Sequence, residues 1–101
     1  MPMKLNINYV DLEADKRLND FIQKKVDKLE TFHDRIVEGE VYLKRDNTPI
    51  NSHVAEVKIY IPGSSLFAKE QNGSFEAAVD KCVDALRRQI KKVKEKQATH
   101  P

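Results

Sequence analysis

Tryptophan is absent from the chain, cysteine occurs once, glycine three times and proline four times. Each shortage closes a class of explanation. A lone Cys82 excludes an internal disulfide framework and any zinc cluster built from cysteines. So few glycines and prolines exclude collagen-like and low-complexity chains. No glycine-rich phosphate loop occurs, because Asn72-Gly73-Ser74 offers one glycine ahead of a helix and reads as a turn and cap. Apolar runs long enough to cross a bilayer are missing. The opening Met1-Pro2-Met3-Lys4-Leu5-Asn6 also lacks the apolar stretch of a secretion signal. The expectation is a cytoplasmic protein with no membrane partner.

What remains is a charged chain with enough apolar residues for one core. Of its 101 residues, 40% are hydrophobic and 34% charged, which suits a single small domain. Lys4 to Tyr9 alternates polar and apolar residues, the period of a half-buried strand. From about Asp15 to Glu30 the period lengthens: Leu18, Phe21, Ile22, Val26 and Leu29 share one helical face, with Asp15 as N-cap. Strand patterns return at Ile36–Arg45, with Gly39 a candidate bulge, and at Val54–Ile61. A turn at Pro62-Gly63 leads to a fourth strand with Leu66 and Ala68 facing inward. Phe21, Phe67 and Phe75 suit core or near-core positions.

The final element is the longest. Ser74 caps a helix running to about Lys96, and Phe75, Cys82, Val83, Leu86, Ile90 and Val93 fall within about 60° of Val79. The order is β-α-β-β-β-α. An α+β fold follows, in which two helices pack on one face of a four-stranded sheet, as in double-stranded-RNA-binding domains. One domain is expected over residues 1–96, with a short tail over 97–101.

The net charge of +2 hides an asymmetry. Residues 85–101 carry Arg87, Arg88, Lys91, Lys92, Lys94 and Lys96 against Glu95, a local charge of +5, which leaves −3 on residues 1–84. The six cations occupy an arc of α-helix surface from about 60° to 260°, outside the apolar stripe. A solvated basic helix end is one explanation, since each such charge offsets the helix dipole by about 0.3–1 kcal/mol. Yet Arg87–Lys91, Arg88–Lys92 and Lys92–Lys96 are repulsive i,i+4 pairs, and a polyanion would offset that repulsion.

Catalytic and metal-binding patterns are not found. His33, His53 and His100 fall in separate loops and the tail, without ligand spacing, and read as surface residues. Cys82 reads as a small core residue. Asp11, Glu13 and Asp15 read as a solvated helix entry. The expectation is a protein that is no enzyme, with no metal, cofactor or small-molecule substrate. Tyr42 and Tyr60 share the outward phase of neighbouring strands, as a sheet-stabilising pair or as a platform for stacked bases.

Certain segments are similar to a known family. Asp27-Lys28-Leu29-Glu30-Thr31-Phe32-His33-Asp34-Arg35-Ile36 resembles the first-helix exit of ribosome hibernation-promoting factors, the family that includes ribosome-associated inhibitor A. Ala77-Ala78-Val79-Asp80, Asp84-Ala85-Leu86-Arg87-Arg88-Gln89-Ile90 and Lys92-Val93-Lys94 resemble its last helix, and Leu5-Asn6-Ile7 its first strand. The resemblance covers nearly the whole chain and is to the short form of the family. It implies binding to the small (30S) ribosomal subunit and its 16S ribosomal RNA, in the channel used by messenger and transfer RNA. It further implies silencing of translation in stationary phase or stress. Ribosome pairing would fall to a separate factor or to an effect on ribosome shape. Arg88, Lys92, Lys94 and Lys96 match basic positions of the family's last helix. Lys28 and Lys44 match basic positions in its first helix and second strand. Arg87 and Lys91 join them on charge and position alone. Two other readings remain open: a module for double-stranded RNA not tied to the ribosome, and a protein adaptor using the sheet face around Tyr42 and Tyr60.

Overall fold

Period-two alternation in four segments produces four strands, and the computed structural model describes them within residues 3–33 and 35–98. β1 (Lys4–Tyr9), β2 (Glu38–Arg45), β3 (His53–Ile61) and β4 (Ser64–Asn72) form one sheet in that order. β1 lies parallel to β2, since a helix intervenes between them, and the other neighbours are antiparallel. The register aligns the inward residues across the sheet: Ile7 beside Val41, Val41 beside Val57, and Val57 beside Ala68.

Both helices cover that one face. α1 (Lys16–Asp27) begins where the Asp15 carboxylate accepts from the Arg17 and Leu18 amides at 2.9 and 3.3 Å. α2 (Phe75–Ala98) begins where the Ser74 hydroxyl accepts from the Ala77 amide at 3.1 Å. α2 packs across β3 and β4 and against α1. Ile22, Val26 and Leu29 meet Val79, Leu86 and Ile90 over Val41, Leu43, Val57 and Ile59, all fully buried. α1 is tied to the start of β1 through Gln23, whose amide donates to the Met3 carbonyl at 3.1 Å.

Several expectations need correction. The first helix does not continue as an α-helix to Glu30. It tightens to a 3-10 helix over Lys28–Thr31, because the Thr31 hydroxyl and the Phe32 amide bond the carbonyls three residues back, at 2.7 and 3.0 Å. Gly39 forms no bulge. It keeps an unbroken register between Leu5 and Ile59, and a Cβ there would come within 2.8 Å of Leu5 Cδ1. The glycine therefore serves close approach of neighbouring strands. Phe67 is not near the core but 49% exposed on the outer face, because Leu66 and Ala68 take the inward positions on either side of it.

The histidines also differ from their reading as surface groups. His33 is buried, its Nδ1 accepting from the Arg35 amide at 3.1 Å. His53 begins β3 in the inward phase and packs edge-on against Phe75, ring centroids 4.7 Å apart. His100 lies outside the described residues. Of the segment expected as a tail, Gln97 and Ala98 continue α2 and residues 99–101 lie outside the described residues.

Candidate nucleic-acid interface

The arc of cations on α2 follows from the helix's own periodicity. Burying Val79, Cys82, Leu86 and Ile90 forces Arg87, Arg88, Lys91, Lys92, Lys94 and Lys96 outward, and all six are exposed. Their partners are few. Arg87 approaches Asp84 at 3.9 Å, a long contact between half-exposed groups. Asp80 turns instead to Lys25 of α1, at 2.9 Å. Among the described residues, no carboxylate lies within 4.0 Å of Arg88, Lys91, Lys92 or Lys94. Asp84–Arg88 and Lys91–Glu95, which stand at i,i+4 spacing with opposite charges, do not form salt bridges.

The structure gathers four of these cations around one open cleft. Arg87, Arg88, Lys91 and Lys94 form one wall, and Thr31 and Phe32, where the chain leaves the 3-10 helix, form the other. Ile90 contributes to the floor, and Glu95 is the one acid among the lining residues. The cleft measures about 590 Å³. Lys92 and Lys96 lie outside it on α2, and Lys28 is exposed at the start of the 3-10 helix that supplies Thr31.

Lys44 is not brought to this cleft. It stands on the outer sheet face, which no helix covers, with its Nζ 3.4 Å from Glu56. That face is linked by its own contacts. Tyr42 and Tyr60 are not directly opposed, because the register sets Tyr42 against Glu56 and Tyr60 against Glu38. Both hydroxyls instead donate to the Glu40 carboxylate, at 2.9 and 2.6 Å. These bonds, Tyr60's first, lower the Glu40 pKa and raise those of the two phenols. Lys58 sits 5.1 Å from the Tyr60 ring centroid.

Sequence reasoning missed Phe32 as part of a site. The buried positions Leu18, Ile22, Val26 and Leu29 lead in helical phase to His33, which is inside, so Phe32 falls out of phase and is 39% exposed. A signal was present in that phase. Cys82 is as expected: fully buried, its thiol donating to the Ala55 carbonyl at 3.4 Å, with burial pushing its pKa up to about 12.

Comparison with known proteins identifies relatives of the chain in sequence and in fold. The family profile described as Sigma 54 modulation protein / S30EA ribosomal protein matches residues 5–98. A ribosome hibernation promoting factor of Klebsiella oxytoca is 32% identical over 98 residues, covering 97% of this chain and all of that one. The protein of the same name from Pseudomonas putida is 32% identical over 95 residues, covering 94% of this chain and 90% of its own. In fold, the chain is similar to the crystal structure of the Thermus thermophilus Protein Y N-terminal domain. The TM-score there is 0.77 at 26% identity, with 92% of this chain and 99% of that one covered. The fold is also that of a ribosomal subunit interface protein from Coxiella burnetii, with a TM-score of 0.79 at 19% identity over the same shares. A match across nearly the whole chain, in sequence and in architecture, places this protein in the ribosome hibernation-promoting factor family, among the Sigma 54 modulation / S30EA ribosomal proteins.

Proposed function

We propose that the protein binds the small ribosomal subunit in the channel used by messenger and transfer RNA, and so holds ribosomes inactive in stationary phase or stress. The observation that carries this reading is that exposed Arg88, Lys91, Lys92 and Lys94 of α2 have no carboxylate within 4.0 Å among the described residues. Such a surface gains free energy from a dense array of phosphates, because condensed counterions are released when Lys and Arg replace them. Arg87, Arg88, Lys91 and Lys94 contact 16S ribosomal RNA phosphates from the cleft, with Lys92 and Lys96 beside them on α2 and Lys28 across from them. These contacts fix position without reading base sequence. Lys44 reaches the opposite wall of the channel and contributes less, because Glu56 already compensates part of its charge.

The rest is exclusion. A body of 50 × 26 × 18 Å in the channel occupies space that the RNA ligands of translation require. No bond is made or broken, so the protein acts as a binding factor in the cytoplasm and not as an enzyme.

Sedimentation with purified small subunits over a series of salt concentrations tests the reading. Arg88→Ala/Lys91→Ala protein should bind more weakly, with the log-affinity against log-salt slope reduced by roughly 0.7–0.9 for each phosphate contact removed. Unchanged affinity and slope would take α2 out of the interface. Equal affinity of the unaltered protein for a plain RNA duplex would favour a general RNA-binding module.

A further inference from the structure

The cleft beside α2 has one feature that phosphate binding does not use. Phe32 lines it with 39% of its surface exposed, opposite two arginines and two lysines. A flexible loop does not set its position. The Phe32 and His33 amides both donate to the Leu29 carbonyl, at 3.0 and 3.1 Å, and the buried His33 anchors the turn from within. An aromatic ring in water forgoes the burial that would otherwise stabilise it. Here the ring is presented on a fixed backbone, beside cations whose stems extend the apolar wall.

We infer that this cleft seats one unstacked nucleotide of RNA, with its base against the Phe32 ring and its phosphates against Arg87, Arg88, Lys91 and Lys94. The inference rests on the reading that RNA is the partner and names the form in which RNA is taken. At about 590 Å³ the cleft is in the size range of small-molecule pockets and admits a single nucleotide. Four cations against Glu95 leave a surplus of positive charge for the flanking phosphates, and the two guanidinium groups can bind phosphate through paired N–H donors. A base inside a duplex is covered on both faces, so the ligand is a nucleotide from a loop, bulge or single strand. An acidic peptide would use the same cations, but its carboxylates would gain nothing from an aromatic face.

Two measurements test the seat. The first is an NMR titration of the full chain with a single-stranded RNA tetranucleotide. Upfield ring-current shifts of the base protons, together with shifts of the Phe32 ring, are expected. The second compares small-subunit binding by Phe32→Leu and Phe32→Trp protein, with thermal unfolding monitored for both. Phe32→Leu keeps apolar bulk without a π face and should weaken binding by roughly 5- to 100-fold, the range one stacked base carries, with the salt slope unchanged. Phe32→Trp should retain the affinity. Full affinity of Phe32→Leu protein, or tetranucleotide binding that leaves the Phe32 resonances unmoved, would overturn the stacked base even where ribosome binding persists. Competition by polyglutamate equal to that by the tetranucleotide would reduce the cleft to a general anion patch and also overturn it. Tetranucleotide bound at Phe32 by a protein that ignores small subunits would support the seat and defeat the ribosomal reading.

Discussion

Lysines on the outer sheet face and cations on the free side of α2 are the same chemistry in opposite circumstances. On the sheet, Lys44 lies 3.4 Å from Glu56, Lys58 covers the Tyr60 ring, and the Glu40 carboxylate is held by two phenols. On α2, Arg88, Lys91, Lys92 and Lys94 have no carboxylate within reach among the described residues. The first surface satisfies itself. The second keeps its field available, and an unneutralised field attracts and orients an oppositely charged partner. The contrast teaches that binding capacity is read from which charges the fold leaves uncompensated, more than from how many it carries.

The largest expected effect tests the two sides of α2 against each other. Leu86 is fully buried, so Leu86→Ala should cost about 2–5 kcal/mol in urea unfolding. Exposed Arg88→Ala should leave the urea midpoint nearly unmoved. Equal losses would show that the cationic side is also structural.

Next comes the contrast between the surfaces. Arg88→Ala/Lys91→Ala/Lys94→Ala should weaken binding to small subunits by about 10²-fold or more at low salt, with the difference shrinking as salt rises. Lys44→Ala should change affinity by less than about threefold, since its charge is already partly offset. A Lys44 effect as large as that of the triple variant would move the interface toward the sheet.

Smaller still is a pH effect. Burial, with Arg45 adding to it and Glu76 opposing, lowers the pKa of His53 in the folded protein. The unfolded chain binds a proton at the ordinary histidine value and the folded chain only at lower pH. Stability present above that value is therefore lost as pH falls through it toward the folded pKa. The urea midpoint should decline as pH falls below the ordinary histidine value of about 6.5, and His53→Gln should flatten that decline. The smallest effect belongs to Tyr60→Phe. Losing the 2.6 Å bond should raise the Glu40 pKa toward its ordinary value in a carboxyl NMR titration, with subunit affinity unchanged.

Much of the fold was legible because two periodicities carry it. Val57, Ile59 and Ile61 at period two, and Val79, Leu86 and Ile90 at helical spacing, are all buried as their phases require. The same arithmetic marks Phe67 as outward, and its hydrophobicity misled where its position between Leu66 and Ala68 did not. Tyr42 and Tyr60 were placed on the correct face, but their convergence on Glu40 depends on register, which alternation alone does not supply. The cationic side of α2 was readable from spacing. Its cleft was not, because Phe32 and Arg88 are brought together by the packing of the 3-10 helix beside α2, a contact between segments over fifty residues apart.

The sealed position of Cys82 gives this protein an internal reporter. The chain's single thiol lies among Ala55, Ala68 and the core, and with a pKa near 12 almost none of it is thiolate at neutral pH. A thiol reagent can modify it only when α2 lifts from β3 and β4, so the rate of labelling measures how often the molecule opens. Seating α2 against a ribosome should slow that rate, giving a readout of binding that requires no added probe on the protein surface.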